Sequence, residues 1–273
     1  MKLISNAHTH TRFCDGQNTP EEMVQAALRL GFVSLGFSIH GWTPYELVPV
    51  TLEKEAAYRA ELRRLQAKYA GRIEILIGAE RDSLYPRDFS EYEYLIDSTH
   101  WFVQDGVYCC ADYSEARMRE TVRDCFGGDY YAYCRGFFRQ EAQACARSDA
   151  AFLGHIDLVS KFNEGGRYFD ESDPRYLGPA LEVVDCAAAR GLPIEMNTGA
   201  MFRGYRSSPY PAPALLRGIR DMGGEILINS DAHAAEGLDC GFDLCLQIAR
   251  ACGFKHILRL RKNGFEEVPI ASE

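Results

Sequence analysis

Short apolar runs alternate with amphipathic stretches along most of the chain. Runs of strand length fall at residues 2–10 (KLISNAHTH), 33–40 (VSLGFSIH), 73–80 (IEILIGAE), 94–101 (YLIDSTHW), 151–157 (AFLGHID), 192–198 (LPIEMNT) and 225–233 (EILINSDAH). A shorter run, KHILRL, occupies 255–260. Most are continuously apolar, as expected of strands buried on both faces. Helical patterns separate them. Thr19 caps the first, Pro20 takes its first position and Gly31 stops it. Others are read at 51–71, 114–126, 129–148, 173–191, 212–223 and 237–253.

Strand–helix alternation repeated in this way predicts an α/β fold with a parallel sheet covered by helices. A doubly wound open sheet and a barrel both satisfy the pattern. No G-x-G-x-x-G follows the first strand, which removes the main signal for a dinucleotide fold. The stretches 41–50 and 163–172 read as excursions, so a single domain over residues 1–273 is expected.

Composition narrows the class. Apolar residues make up 47% of 273 residues, enough for a sizeable core. No apolar run is long enough for a transmembrane helix, and the N-terminus has no secretory pattern, so a cytoplasmic protein is expected. The ten cysteines include no C-x-x-C pair and are read as reduced thiols. With a net charge of −9 and no basic run, a small substrate is favoured over nucleic acid. Oligomeric state is left open.

The histidines carry the chemistry. There are seven, and six close predicted strands: His8 and His10, His40, His100, His155 and His233. Glu80 and Asp231 occupy the same kind of position, and Asp15 follows the first strand. In parallel α/β folds those strand ends converge on one face, where active sites form. Only His256 falls outside the pattern and reads as structural or exposed. An H-x-H pair on a strand places both rings on one side, because side chains alternate. Imidazole and carboxylate suit zinc, iron and manganese, and nine such donors exceed one tetrahedral ion. Two or three divalent ions are therefore expected. Such sites favour in-line hydrolysis at phosphorus by a metal-activated hydroxide. Three ions would bring about +6, which three carboxylates, a hydroxide and a phosphate monoester would roughly neutralise.

The blocks HTH, CDG, SIHGW, GAE, THW, GHIDL, EMNTGA and NSDAH, in this order from residue 8 to about 233, resemble the signature blocks of the PHP superfamily. That family of metal-dependent phosphoesterases takes its name from polymerases and histidinol phosphatases. The length, the insertion before GHIDL and the stretch 197–211 are most similar to the monofunctional histidinol-phosphate phosphatase branch. The resemblance implies a distorted (β/α)7 barrel and a trinuclear site. It implies a first ion on His8, His10, Glu80 and Asp231, with Glu80 bridging to a second on His100 and His155. Asp15, His40 and His233 would hold the third. Asp15 stands where many members carry histidine, a departure known within this branch.

A phosphate ester also needs cations from the chain. Arg203, just past the 192–198 strand, and Lys161, after GHIDLVS, are candidate phosphate contacts. Basic residues at about these positions contact phosphate in the resembled family. Arg206 and Arg12 are weaker candidates. Asn197 is a candidate substrate-binding residue that would orient a ligand indirectly or else satisfy backbone at a turn, and Trp42, Trp101, Phe102 and Tyr108 are candidate walls for an imidazole. The role of Glu195 is open. The leaving alkoxide needs a proton or a metal, and an Asp or His at the third site, Asp15 or His233, or a bound water would supply it.

The expected function is hydrolysis of L-histidinol phosphate to L-histidinol and phosphate, in histidine biosynthesis. The alternative is a related phosphoesterase acting on another small ester or a nucleic-acid end. An amidohydrolase-like barrel would need a lysine at a ligand position, which no strand end supplies. A non-catalytic metal-binding protein would be expected to have lost some ligand blocks.

Overall fold

In the computed structural model, residues 5–43, 50–85 and 87–270 are described. The 41–50 excursion therefore falls largely outside the described residues, as does the start of the first apolar run. The strands are β1 Ser5–Asn6, β2 Ser34–His40, β3 Glu74–Asp82, β4 Tyr94–Ser98, β5 Trp101–Gln104, β6 Val107–Cys110, β7 Phe152–Leu153, β8 Ile194–Asn197, β9 Ile226–Asn229, β10 His256–Arg261 and β11 Gly264–Pro269. The helices are α1 Pro20–Leu30, α2 Leu52–Lys68, α3 Glu115–Phe126, α4 Tyr130–Arg147, α5 Pro174–Arg190, α6 Gly199–Phe202, α7 Pro213–Asp221 and α8 Phe242–Ala251.

One nine-stranded sheet runs in the order β1-β2-β3-β4-β7-β8-β9-β10-β11. Its pairs from β1 to β10 are parallel, and only β10 with β11 is antiparallel. The sheet curls until the chain just past β1 comes back against the chain just past β9, where Thr9 forms a parallel bridge with Ala232. Among the described residues the seam of the expected barrel is thus a single bridge rather than a continuous ladder. Ala7, Leu76, Tyr94, Ile96, Phe152, Leu227 and Leu260, from strands all along the sheet, pack together inside the curl. The Tyr94 hydroxyl crosses this interior and donates to the carbonyls of Ala7 (2.7 Å) and Phe37 (3.0 Å). Gly78 makes room for it: a Cβ there would lie 2.2 Å from the Tyr94 ring. A larger cluster, including Met23, Phe37, Tyr58, Phe137, Tyr176 and Leu246, joins the sheet to its helices.

The helix ends obey their local signals. Thr19 and Glu22 form a reciprocal capping box, Pro20 occupies the first turn, and Gly31 closes α1 at φ 79°. Asp173 and Pro174 open α5 and Gly191 ends it in the left-handed region. Helix α2 stops at Lys68, short of the expected 71.

Several expected strands are shorter than their apolar runs. β7 is two residues long and ends before His155, and β9 ends before Asp231. The donor residues there lie on the segments just beyond the ladders. A hairpin, β5–β6, was not expected: its turn is Asp105-Gly106, with φ of 48° and 81°. Two central residues with positive φ match the right-handed twist of paired strands. β11 is a second unexpected strand, returning along β10.

Candidate metal centre

Nine donor side chains meet at the C-terminal ends of the parallel strands. Donor atoms of His10, Asp15, His40 and His233 lie within 4.8 Å of one another. The same holds for His8, His10 and Glu80, for His8, His155 and Asp231, and for His40, Glu80 and His100.

Glu80 is at the centre. Its Oε2 faces His8 Nε2 (3.3 Å), His10 Nε2 (3.4 Å) and His40 Nδ1 (3.1 Å). Its Oε1 faces His155 Nε2 (3.0 Å) and His100 Nε2 (3.5 Å). The partition implied by the resemblance joined His100 with His155. Here both rings face Glu80 Oε1, and the tight donor groups also set His100 with His40 and His155 with His8 and Asp231. With its two oxygens facing five rings, Glu80 belongs to two of the groups, as do His8, His10 and His40. The set Asp15, His40 and His233 recurs, with His10 added.

The alternation argued for H-x-H is seen directly. His8 and His10 point to the same side, with ring centroids 5.2 Å apart. Thr9 points away, and its hydroxyl donates to the Gly36 carbonyl at 2.8 Å. Asp231 sits just past β9 with φ 48°, a conformation uncommon for a residue with a side chain. Its Oδ1 faces His10 Nε2 at 3.2 Å and its Oδ2 accepts from Arg203 at 3.0 Å. Gly199 permits this approach, since a Cβ there would lie 2.7 Å from Asp231 Oδ2.

Burial and charge shape the titration. Desolvation opposes charge on His8, yet the carboxylates of Glu195, Glu80 and Asp231 raise its pKa well above the usual value. For His100 burial is likewise outweighed, chiefly by Glu80, and its pKa is raised to about 9. His10 is different: burial and the neighbouring His233 and His40 rings lower it to about 3. Burial works against ionisation of Glu80 and Asp231, but His8 and Arg203 respectively lead the groups that hold them well below the carboxylate range.

These residues fit metal ions. His8 Nε2, His10 Nε2 and His155 Nδ1 are buried ring nitrogens without a hydrogen-bond partner. Such groups are costly unless something fills their lone pairs or takes their protons. The opposite nitrogen of His8 is fixed, with Nδ1 2.8 Å from Glu195 Oε1. Carboxylate–histidine–metal arrangements use this contact to orient a ligand.

Glu195, left open by the sequence, is the main support. Fully buried, it also accepts from the His155 backbone (3.0 Å), Asn197 Nδ2 (2.9 Å) and Asn229 Nδ2 (2.9 Å). Its sequence signal is its place in the 192–198 run, on the strand face opposite Met196. Asp82 was missed: its Oδ2 accepts from the backbone of His100 (3.1 Å) and Trp101 (3.2 Å). It lies two residues past Glu80 on β3, so the same parity points it to the same face.

A cavity of about 520 Å³ opens over the donors. Arg203 lines it, with Nη1 3.1 Å from His233 Nδ1. Lys161 lines it too, but donates to the Asp112 carbonyl at 2.8 Å and to Asp112 Oδ2 at 3.3 Å. Asn197 does not: its amide is spent on Glu195 and on the Gly199 backbone (2.8 Å). The expectation that Asn197 contacts substrate is corrected accordingly. Of the four aromatic candidates only Trp101 lines the cavity. Phe102 is fully buried, Trp42 packs edge-on against Tyr85, and Tyr108 is exposed. Arg206 is tied to Glu171 at 2.8 Å and Arg12 to the Gln17 carbonyl at 2.6 Å. His256 pairs with Glu225 at 2.8 Å, outside the cavity wall. All ten cysteines are free, and among the described residues no helix is long and apolar enough to cross a membrane.

Fold and donor set together define the class: an α/β protein with a His/carboxylate cluster for several metal ions at its parallel strand ends. The PHP domain matches residues 6–199, and the chain belongs to that family. A curated relative from Deinococcus radiodurans, named "Probable histidinol-phosphatase", is 32% identical over 249 residues, covering 85% of this chain and 87% of the relative. The solved hisK chain of Listeria monocytogenes superposes with a TM-score of 0.76 at 20% identity, over 88% of this chain and 99% of that one. Histidinol phosphate phosphatase from Lactococcus lactis, solved with zinc, L-histidinol and phosphate, gives a TM-score of 0.66 at 19% identity, over 96% and 98%. Both structures share the fold.

Proposed function

We propose that this chain is a metal-dependent phosphomonoesterase that hydrolyses L-histidinol phosphate to L-histidinol and phosphate. The observation that carries the reading is the convergence of buried, unpartnered ring nitrogens of His8 and His10 on Glu80 and Asp231, with Arg203 alongside. The names of the Deinococcus and Lactococcus proteins support the substrate. We read residues 1–273 as one domain of a cytoplasmic enzyme of histidine biosynthesis, with a small phosphate ester and not nucleic acid as its partner.

The residues assigned to metal are His8, His10, Glu80 and Asp231 for one ion, Glu80, His100 and His155 for a second, and Asp15, His40 and His233 for a third. Zinc, iron and manganese suit these donors. When bound, such ions supply an activated water and neutralise phosphoryl charge. Glu195 holds His8 through Nδ1, leaving Nε2 toward the cluster. Asp231 and His233 anchor two guanidinium nitrogens of Arg203, which orients its other donors for a phosphoryl oxygen. Asp15 Oδ2 and His233 Nε2 lie 3.0 Å apart at the cavity, and a water held against these two donors would supply the proton to the leaving alkoxide.

The test is phosphate release from L-histidinol phosphate by purified protein, before and after chelation, with Mn²⁺, Zn²⁺ or Fe²⁺ restored. Release that chelation abolishes, and that far exceeds release from other monoesters, is expected. Chelator-sensitive release from other esters alone would discard the substrate and keep the mechanism. No release with any metal would overturn both.

A further inference from the structure

One carboxylate on the cavity wall lies outside the donor groups. Asp15, Glu80 and Asp231 face the cavity as members of the cluster, whereas Asp112 belongs to none of its groups. Asp112 follows the unexpected hairpin, where the Ala111 amide donates to the His100 carbonyl at 2.8 Å. This fixes Asp112 at the His100 flank. Arg203 stands at the other flank, against His233 and Asp231. The His40 ring is in contact with both flanks, 5.6 Å from the His100 centroid and 6.2 Å from that of His233. The wall therefore presents Arg203 at one flank and Asp112, with Lys161 beside it, at the other.

Lys161 does not consume that anion. Its shorter bond goes to the Asp112 backbone carbonyl, and its carboxylate contact of 3.3 Å exceeds the roughly 2.7–2.9 Å of a charge-assisted bond. Among the described residues the other carboxylate oxygen has the Cys110 thiol, a weak donor at 3.4 Å. Acceptor capacity remains. Burial disfavours the charged carboxyl, but Lys161 and His100 keep it below the usual carboxylate range. Aromatic side chains of Trp101, Tyr113 and Tyr205 line the same cavity.

We propose that Asp112 is the specificity residue for the ammonium group of an amino-alcohol phosphate, and that Lys161 positions its loop rather than contacting phosphate. The inference rests on the histidinol-phosphate reading. In that ester the amine sits on the carbon next to the ester-bearing carbon and is charged at neutral pH, while most of the imidazole is neutral. Phosphate at the donors and Arg203, with ammonium on Asp112, matches the two flanks.

The experiment compares kcat and KM for L-histidinol phosphate, its N-acetyl form and p-nitrophenyl phosphate. Wild-type protein is expected to prefer the free amine over the N-acetyl ester by at least about tenfold. Asp112→Asn is expected to shrink that ratio by roughly 10- to 100-fold, mainly through KM, and Asp112→Glu to restore part of it. Lys161→Met is expected to shrink the same ratio, whereas an equal loss on all three esters would make Lys161 a phosphate contact and overturn its assignment. Two outcomes overturn the role of Asp112: a wild-type enzyme indifferent to acetylation, which needs no variant, or an Asp112→Asn ratio within twofold of wild type. Should both histidinol esters far outpace p-nitrophenyl phosphate while acetylation has no effect, the substrate reading stands and ammonium recognition alone falls. If neither outpaces it, the substrate reading fails first.

Discussion

The donors form two regions held in different ways. His8, His10, Glu80 and Asp231 are buried, and His8 is anchored by a carboxylate that is itself saturated by Asn197, Asn229 and the His155 backbone. Asp15, His40 and His233 face the cavity, with side-chain exposures of 42, 16 and 17%, and hold one another. The protein fixes the geometry of the inner region before anything binds. In the outer region the donors supply much of each other's support. Inner ions should therefore bind more tightly, and the outer position should be where metal identity and occupancy vary.

Glu80 touches both regions, so it should produce the largest effect. Glu80→Gln is expected to lower kcat by roughly a thousandfold or more and to reduce bound metal in both regions. Phosphate release and metal content measure this, and a loss below tenfold would break the assignment of Glu80 as the shared donor. Glu195→Gln should separate the regions. It is expected to weaken inner metal binding by about 10- to 100-fold, with activity recovering in excess metal. A variant that keeps its metal through dialysis would show that Glu195 is not the inner anchor. Asp15→Asn should act on the outer region alone, with about one ion lost and roughly a tenfold fall in activity. Loss of all metal would erase the distinction between the regions.

The smallest effect concerns stability, behind the donors. Glu141 on α4 is buried, and desolvation, with Asp97 and Asp82 nearby, raises its pKa to about 8 against the lowering effect of Thr99 and His100. A carboxyl whose folded pKa is raised favours the fold below its unfolded pKa. That contribution is lost as pH rises from about 4.5 toward 8, at no more than about 1.4 kcal/mol per pH unit. Glu141→Gln should flatten this slope in urea unfolding measured across the interval. An unchanged slope would show that Glu141 ionises freely in the fold.

The inner region was the more legible in sequence. H-x-H and S-D-A-H announce ligands because the strand period puts alternate residues on one face, and chain direction puts the ends of parallel strands together. What sequence could not supply was which partner each group spends its hydrogen bonds on. Asn197 looked available at a strand end, but its amide is consumed by Glu195 and Gly199. Lys161 looked like a phosphate contact, but its ammonium is already bonded to Asp112. Both partners come from tertiary packing. The β5–β6 hairpin is different: Asp105-Gly106 is readable as a turn, but the apolar run 94–101 reads as one strand across the junction where β4 ends at Ser98. Overlooking that turn also hid Asp112. The parallel order of the sheet was readable from the alternation, whereas its closure through one bridge at Thr9 and Ala232 depends on how far the sheet curls.

That seam has a consequence for how the chain reaches its working state. Asn6 hydrogen-bonds to Ser230 at 2.5 Å across 224 residues, and the Ala7 amide to the Asn229 side chain at 2.7 Å across 222. During synthesis the first two histidines emerge long before Asp231, Asn229 and the strand that carries them. Contacts so distant in sequence are slow to form, because a long loop must close first. A nascent chain can assemble β2 and β3, and with them His40 and Glu80, yet it cannot complete the pocket until almost the last strand docks. Tight metal retention would then mark finished molecules, and chains truncated before β9 should lack it.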